Sequence, residues 1–345
     1  AVRPRRRLDC GGATTYDGFQ DVDLVVEAVP EQLELKRRIF QELDQATQES
    51  AILASNTSSL SISALGAATR RPHKVVGLHF FYPAHLMKLV EVIPGLETSE
   101  ETAADATTFA EGLRKLPIRV NECPGFLVNR ILMPYLNEAT LCVQEGAATL
   151  REVDEAMVAF GFPMGPFTLI DNLGFDVCRE VVGVLMDAYG DRMQPAAVWE
   201  RLHERKRYGV KSGAGFYLYG ERAGGPDPEL DEILKACRTA QGPKGTFSVN
   251  RAILPMINEA VRCLEEHVCT AADVDLAVVA GLGYPQAKGG LLHHADELGL
   301  DRLLSELERF TQQLGHRFWP SPLLKRKVAA GHVGQRAKKG FFEYP

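Results

Sequence analysis

His79 and Glu91 are the residues whose types and spacing most invite chemistry. His79 sits near the end of an apolar run, Val75 to Phe81, and Glu91 lies inside a second one, Leu89 to Ile93. In open α/β sheets ligands bind beyond the carboxyl ends of the strands, so His79 stands where a substrate would collect. If the second run folds back on the first, Glu91 can hold one ring nitrogen of His79 and leave the other as a base. A histidine here also serves as a hydrogen-bonded structural residue, and the pattern alone leaves both readings open. Ser58, in the polar turn Ser55-Asn56-Thr57-Ser58, projects toward the same edge or caps the short helix that follows. Asn129 begins the first long helix of the second half, and its twin Asn250 indicates a structural use as well. Glu31 and Lys36 flank an earlier helix and by type alone are solvated surface charges.

The elements that position these residues alternate strand and helix. Val22–Val29 is a buried strand, and Glu31–Asp44 a helix with Leu35, Ile39, Phe40 and Leu43 on one face. Ala51–Ala54 is a second strand, Ile62–Ala68 a short helix, Val75–Phe81 a third strand and Leu89–Ile93 a fourth. Such alternation predicts βαβ units and a mostly parallel sheet, its right-handed crossovers bringing the strand C-termini to one edge.

After Pro124 the pattern is helical throughout, and the chain repeats itself. Phe126 to Ala139, with Asn129, Arg130, Pro134, Asn137 and Glu138, recurs as Phe247 to Ala260, with Asn250, Arg251, Pro255, Asn258 and Glu259. Asp171, Gly174 and Asp176 are answered by Asp296, Gly299 and Asp301, and Gly215-Phe-Tyr217 by Gly340-Phe-Phe342. Two helical modules therefore follow the sheet, joined by the Gly/Pro-rich stretch Gly220–Pro228, with a proline at the same place in each long helix. The expected boundaries are 1–121, 122–220 and 221–345.

Composition narrows the function classes. The 345 residues are 45% hydrophobic and 24% charged, ordinary for a folded protein of two or three domains. A formal net charge of −6 gives no field for nucleic acid, and the basic cluster is confined to Arg3, Arg5, Arg6 and Arg7. No apolar stretch reaches the roughly 18 residues of a membrane span, and no signal peptide opens the chain. The 7 cysteines form no Cys-x-x-Cys pair, which points to reduced thiols in the cytoplasm. The 9 histidines have no metal-site spacing, and His293-His294 reads as a loop before Asp296.

Ala54-Ser-Asn-Thr-Ser-Ser59, His79-Phe-Phe-Tyr-Pro83, Leu89-Val-Glu-Val92, Cys123-Pro-Gly-Phe-Leu-Val-Asn-Arg130, Phe162-Pro-Met-Gly-Pro166 and Lys211-Ser-Gly-Ala-Gly-Phe-Tyr217 together resemble the L-3-hydroxyacyl-CoA dehydrogenases. The duplicated helical module is similar to the dehydrogenase half of the multifunctional fatty-acid-oxidation α-subunit. The resemblance implies an α/β Rossmann-like NAD-binding domain, N-terminally truncated, followed by two duplicated all-α domains. It implies NAD-dependent oxidation of (3S)-3-hydroxyacyl-CoA, with His79 as general base and Glu91 orienting it. Ser58 and Asn129 would contact the acyl-CoA. Ala28, Val29, Pro30, Glu31, Lys36, Asn56, Ser58 and Tyr82 would line the dinucleotide. An enoyl-CoA hydratase region upstream, a thiolase partner and an oligomer are implied in the same way. A 2-hydroxyacid or 3-hydroxyisobutyrate-type dehydrogenase is the rival within the class, but such relatives commonly rely on a lysine of the helical domain.

Two departures stand out. The family usually has Asn where this chain has Tyr82. No strand and Gly-x-Gly-x-x-Gly turn precede Asp21, since Cys10-Gly-Gly12 runs into Ala13-Thr-Thr15. The expectation is therefore the C-terminal part of a longer polypeptide, with an open strand edge that invites pairing. The alternative function is an acyl-CoA-binding scaffold within a larger β-oxidation complex, deficient in NAD binding.

Overall fold

The computed structural model describes residues 11–238 and 246–345; the arginine cluster Arg3, Arg5, Arg6 and Arg7, and Cys10, lie outside the described residues. Five strands form one sheet in chain order: β1 (Leu24–Glu27), β2 (Ile52–Ser55), β3 (Val75–Phe80), β4 (Leu89–Pro94) and β5 (Leu116–Arg119). Helices α1 (Leu33–Ala46), α2 (Ile62–Gly66) and α3 (Glu100–Gly112) accompany them. β1, β2 and β3 are parallel, as the alternation predicts, but β4 runs antiparallel to β3, and β5 follows β4. The shared C-terminal edge therefore holds for the first three strands and fails for the last two. Connection length is the reason: Phe81–Lys88 is shorter than the dozen or so residues of a parallel crossover, so the chain turns straight back.

The pleat sorts side chains onto two faces. Ile52, Ala54, Val76, Leu78, Val90 and Val92 pack on Ala106 and Ala110 of α3. Leu53, Val75, Leu89 and Ile93 pack on Phe40 and Leu43 of α1 and on Ile62 and Leu65 of α2. By the same period of two, His79 and Glu91 belong to this second face.

The first helical module contains α4 (Val128–Gln144), α5 (Leu150–Phe160), α6 (Pro166–Leu173), α7 (Phe175–Tyr189) and α8 (Ala197–Glu204). Next comes α9 (Pro228–Cys237), which packs back on α8 and α4. The second module repeats the set as α10 (Val249–Glu265), α11 (Ala271–Leu282), α12 (Leu291–Leu298), α13 (Leu300–Leu314) and α14 (Pro322–Ala329). Helices α4 and α10 each continue through their internal proline. His293 and His294 are not in a loop but inside α12, whose first amides, Leu292 and His293, donate to Asp275 at 2.7 and 3.1 Å. Asp154 does the same for Phe167 and Thr168 at the start of α6.

The repeat also explains its own glycines. Asp171 accepts from the Phe216 and Tyr217 amides, both at 2.9 Å, and Asp296 accepts from Phe341 and Phe342 at 2.9 and 3.0 Å. A Cβ on Gly215 or Gly340 would lie 1.9 or 2.0 Å from that carboxylate, so only glycine fits. Burial pushes the Asp171 carboxyl up while these hydrogen bonds pull it down.

The two modules face each other through α4 and α10, the most extensive helix pair. Their charges are exchanged reciprocally. Arg130 of the first donates to Glu259 of the second at 2.8 Å, and Arg251 of the second donates to Glu138 of the first at 2.7 Å. Arg192 and its counterpart Arg317 complete the two clusters on Glu259 and Glu138. All four members of the central pairs are buried. A buried ion removed from its partner costs about 3–5 kcal/mol, whereas an apolar pair of similar size is near neutral. We therefore expect Glu259→Leu to lower the stability to urea by about 3 kcal/mol and Arg130→Met with Glu259→Leu to recover only part of it, because Arg192 and Glu266 each lose a partner as well. An unchanged midpoint in the single variant would show that the pair does not hold the modules together.

Candidate active site

His79 and Glu91 are direct cross-strand partners in the β3–β4 register. Glu91 Oε2 lies 2.7 Å from His79 Nδ1, and both side chains are buried. The other oxygen, Oε1, accepts the backbone amides of Leu127 and Val128 at 3.0 and 2.9 Å. Those amides open α4, where helix N–H groups have no intrahelical acceptor. They are aimed by a tight turn in which Gly125 and Phe126 both have positive φ, 73° and 49°. Gly125 also has no room for a side chain, since a Cβ would meet Leu185 at 2.6 Å. One buried carboxylate therefore joins the sheet to the first helical module.

The second ring nitrogen, His79 Nε2, is 3.1 Å from Ser58 Oγ. Ser58 does not cap α2; that role belongs to Ser61, which accepts the Ala64 amide at 3.1 Å. Asn129 is not a cap either: its side-chain amide donates to the Ser58 carbonyl at 3.3 Å. The fold thus brings Ser58, His79, Glu91 and Asn129 to one place, at the mouth between sheet and first module. The rings of Phe81 and Phe126 flank His79, their centroids 4.6 and 5.9 Å from its own.

The residues expected to line a dinucleotide divide into two groups. Ala28, Val29, Pro30, Asn56 and Tyr82 lie at or just beyond the C-terminal ends of β1, β2 and β3, each at least partly exposed, and Tyr82 is 83% exposed. Asn56 is fixed by accepting the Phe80 amide at 2.8 Å. Glu31 and Lys36 are used internally. Glu31 Oε1 accepts the Thr57 hydroxyl at 2.5 Å and the Ser58 and Ser59 amides at 2.8 and 3.1 Å. Lys36, 1% exposed, donates to Glu27 at 2.8 Å and the Val29 carbonyl at 3.0 Å, with Glu31 Oε2 at 3.4 Å. Across the cleft, burial lifts the Glu180 carboxyl of α7, and the negative charges of Glu31 and Asp176 add to the effect.

Sequence reasoning missed the helix amides that hold Glu91 and the use of Glu31 as anchor of the Ser58 turn. The Pro124-Gly125 step ahead of α4 is a turn signal that would have pointed to the first. No local pattern pointed to the second. The described cysteines are free thiols, and among the described residues no three His, Cys, Asp or Glu side chains converge as metal ligands. No helix of the described residues is long and apolar enough to cross a membrane.

Comparison with known proteins bears on the whole chain. The family model described as 3-hydroxyacyl-CoA dehydrogenase, NAD binding domain, matches residues 7–123. The one described as 3-hydroxyacyl-CoA dehydrogenase, C-terminal domain, matches twice, over 125–219 and 247–344. The fatty acid oxidation complex subunit alpha of Shewanella amazonensis is 42% identical over 92% of this chain, which spans only 45% of that relative. The crystal structure of 3-hydroxybutyryl-CoA dehydrogenase from Escherichia coli K12 superposes with a TM-score of 0.80 at 28% identity, covering 92% of this chain and 84% of that one. The dehydrogenase part of multifunctional enzyme 1 from C. elegans gives 0.61 at 28% identity, over 90% and 73%. With both domain models matched, one of them twice, the chain belongs to the 3-hydroxyacyl-CoA dehydrogenase family.

Proposed function

We propose that the chain carries out NAD-dependent oxidation of (3S)-3-hydroxyacyl-CoA to 3-oxoacyl-CoA in fatty-acid β-oxidation. The hydrogen-bonded line Ser58–His79–Glu91 carries this reading. With the Nδ1 proton directed at Glu91, His79 Nε2 presents a lone pair at the cleft, where the Ser58 hydroxyl now donates to it. A substrate 3-hydroxyl placed between Ser58 and Nε2 would give its proton to His79 as C3 is oxidised. Glu91, fully buried, then stabilises the imidazolium without taking the proton. Ser58 and Asn129 fix the substrate oxygen and the thioester region.

Bound NAD would supply the hydride acceptor. The open shelf of Ala28, Val29, Pro30, Asn56 and Tyr82 beside Ser58 suits such a ligand, because it lies beyond the strand C-termini and leads to His79. Glu31 contributes by holding the Ser58 turn, and Lys36 by pairing with Glu27 and Glu31 beneath the shelf. The relatives' designation as alpha subunits of a complex supports work within a larger assembly, with a hydratase region and a thiolase as the partners the family resemblance implies and the cytoplasm as the compartment the reduced thiols suggest.

Acetoacetyl-CoA reduction by NADH tests the base: His79→Gln should lower kcat by about 10²–10⁴ with little change in KM. Glu91→Gln, which leaves the imidazole without its counter-charge, should also lower kcat. Undiminished turnover in His79→Gln would contradict the assignment, and a wild-type protein that titrates no NADH would favour the scaffold reading. A separate hydrogen-exchange experiment tests the anchor. Glu31→Ala should speed exchange at the Ser58 and Ser59 amides tenfold or more, given about 1.5–3 kcal/mol for a bond to a charged acceptor, and leave Val76 to Leu78 unaffected.

A further inference from the structure

Gly125 allows the chain to turn into α4 but does not enforce the turn, because glycine adopts many backbone conformations at little cost. The turn that aims the Leu127 and Val128 amides at Glu91 is held by other contacts. From inside, the Phe126 amide donates to the Cys123 carbonyl at 2.9 Å, and the Arg130 amide to the Gly125 carbonyl at 3.2 Å. From outside, Tyr189 at the end of α7 reaches over, its hydroxyl donating to the Pro124 carbonyl at 3.2 Å. A peptide unit is planar, so fixing that oxygen fixes the plane from which the Gly125 turn starts.

Tyr189 is itself held by charge. The guanidinium carbons of Arg130 and Arg192 both lie 4.4 Å from the centroid of its ring, close enough for attraction between cation and ring. Both arginines donate to the same oxygen, Oε1, of Glu259 in the second module, at 2.8 and 3.2 Å. Burial pushes the Tyr189 hydroxyl up from its ordinary value, so it stays protonated and able to donate. A line of contacts thus runs from Glu259 through the two arginines and Tyr189 to the turn, and from the turn's amides to Glu91 and His79.

We propose that Tyr189 is a positioning residue for the reaction: by fixing the Pro124–Gly125 peptide, it transmits the docking of the second module to the His79–Glu91 pair. The inference rests on the dehydrogenation proposed above, and it requires no contact between Tyr189 and the substrate.

Tyr189→Phe keeps the ring and removes only the hydroxyl. In acetoacetyl-CoA reduction it should lower kcat about fivefold, as for one lost hydrogen bond, and leave KM within about twofold. In ligand-free protein labelled with ¹⁵N-histidine, it should also move the His79 Nδ1 proton resonance, which a merely structural role at the end of α7 would leave in place. Arg192→Met, which takes one cation off the ring, should move that resonance in the same direction by less. An unmoved resonance in Tyr189→Phe would overturn the proposal, as would an unchanged kcat or a raised KM at unchanged kcat. A wild type without turnover would count against the dehydrogenase reading, and the resonance would then decide for Tyr189, supporting the proposal if Tyr189→Phe moves it and overturning it if not.

Discussion

The Glu91 carboxylate is the interaction on which the site depends. It is fully buried, and an uncompensated charge there would be costly enough to neutralise the group or unfold the region. One oxygen faces His79, and the other takes the two backbone amides that open α4. The donors come from different domains, so the dyad is complete only when the first helical module is docked on the sheet. The second module reinforces this docking from outside. Its α11 packs on β4 and β5, the Val268 carbonyl accepts the Asn121 amide at 2.8 Å, and reciprocal arginine–glutamate pairs clamp α4 to α10. The duplicated module thus braces the strand that carries Glu91.

A second carboxylate does for Ser58 what Glu91 does for His79. Glu31 gathers two hydroxyls and two amides of the Ser58 turn, and Lys36 offsets the charges of Glu31 and Glu27 from below. Both reactive side chains are therefore held by acidic side chains whose own hydrogen bonds are satisfied. Such pre-set geometry lets a base act without reorganising at the moment of proton transfer.

Much of this was legible in the sequence, for identifiable reasons. His79 and Glu91 stood out as polar residues within two adjacent apolar runs, and the repeat of Phe126–Ala139 announced two like modules. The direction of β4 followed from a loop length and was open to the same reasoning. Helix α3, the short strand β5 with its Pro117 and the helical placement of His293 were harder. α3 is rich in alanine and threonine with a weak apolar stripe, β5 is a short sheet-edge strand, and α12 begins at a glycine whose following amides are capped by a distant Asp275. The roles of Glu31 and of the Leu127 and Val128 amides were invisible because they are long-range contacts between groups that look ordinary in one dimension.

The tautomer of His79 shows most directly whether Glu91 sets the base. In a protein labelled with ¹⁵N-histidine, ligand-free His79 should be protonated at Nδ1, with a strongly deshielded proton shared with Glu91, and bare at Nε2. Substitution Glu91→Gln should move that resonance. A proton found on Nε2 instead would leave no base facing the cleft and would contradict the central role given to Glu91.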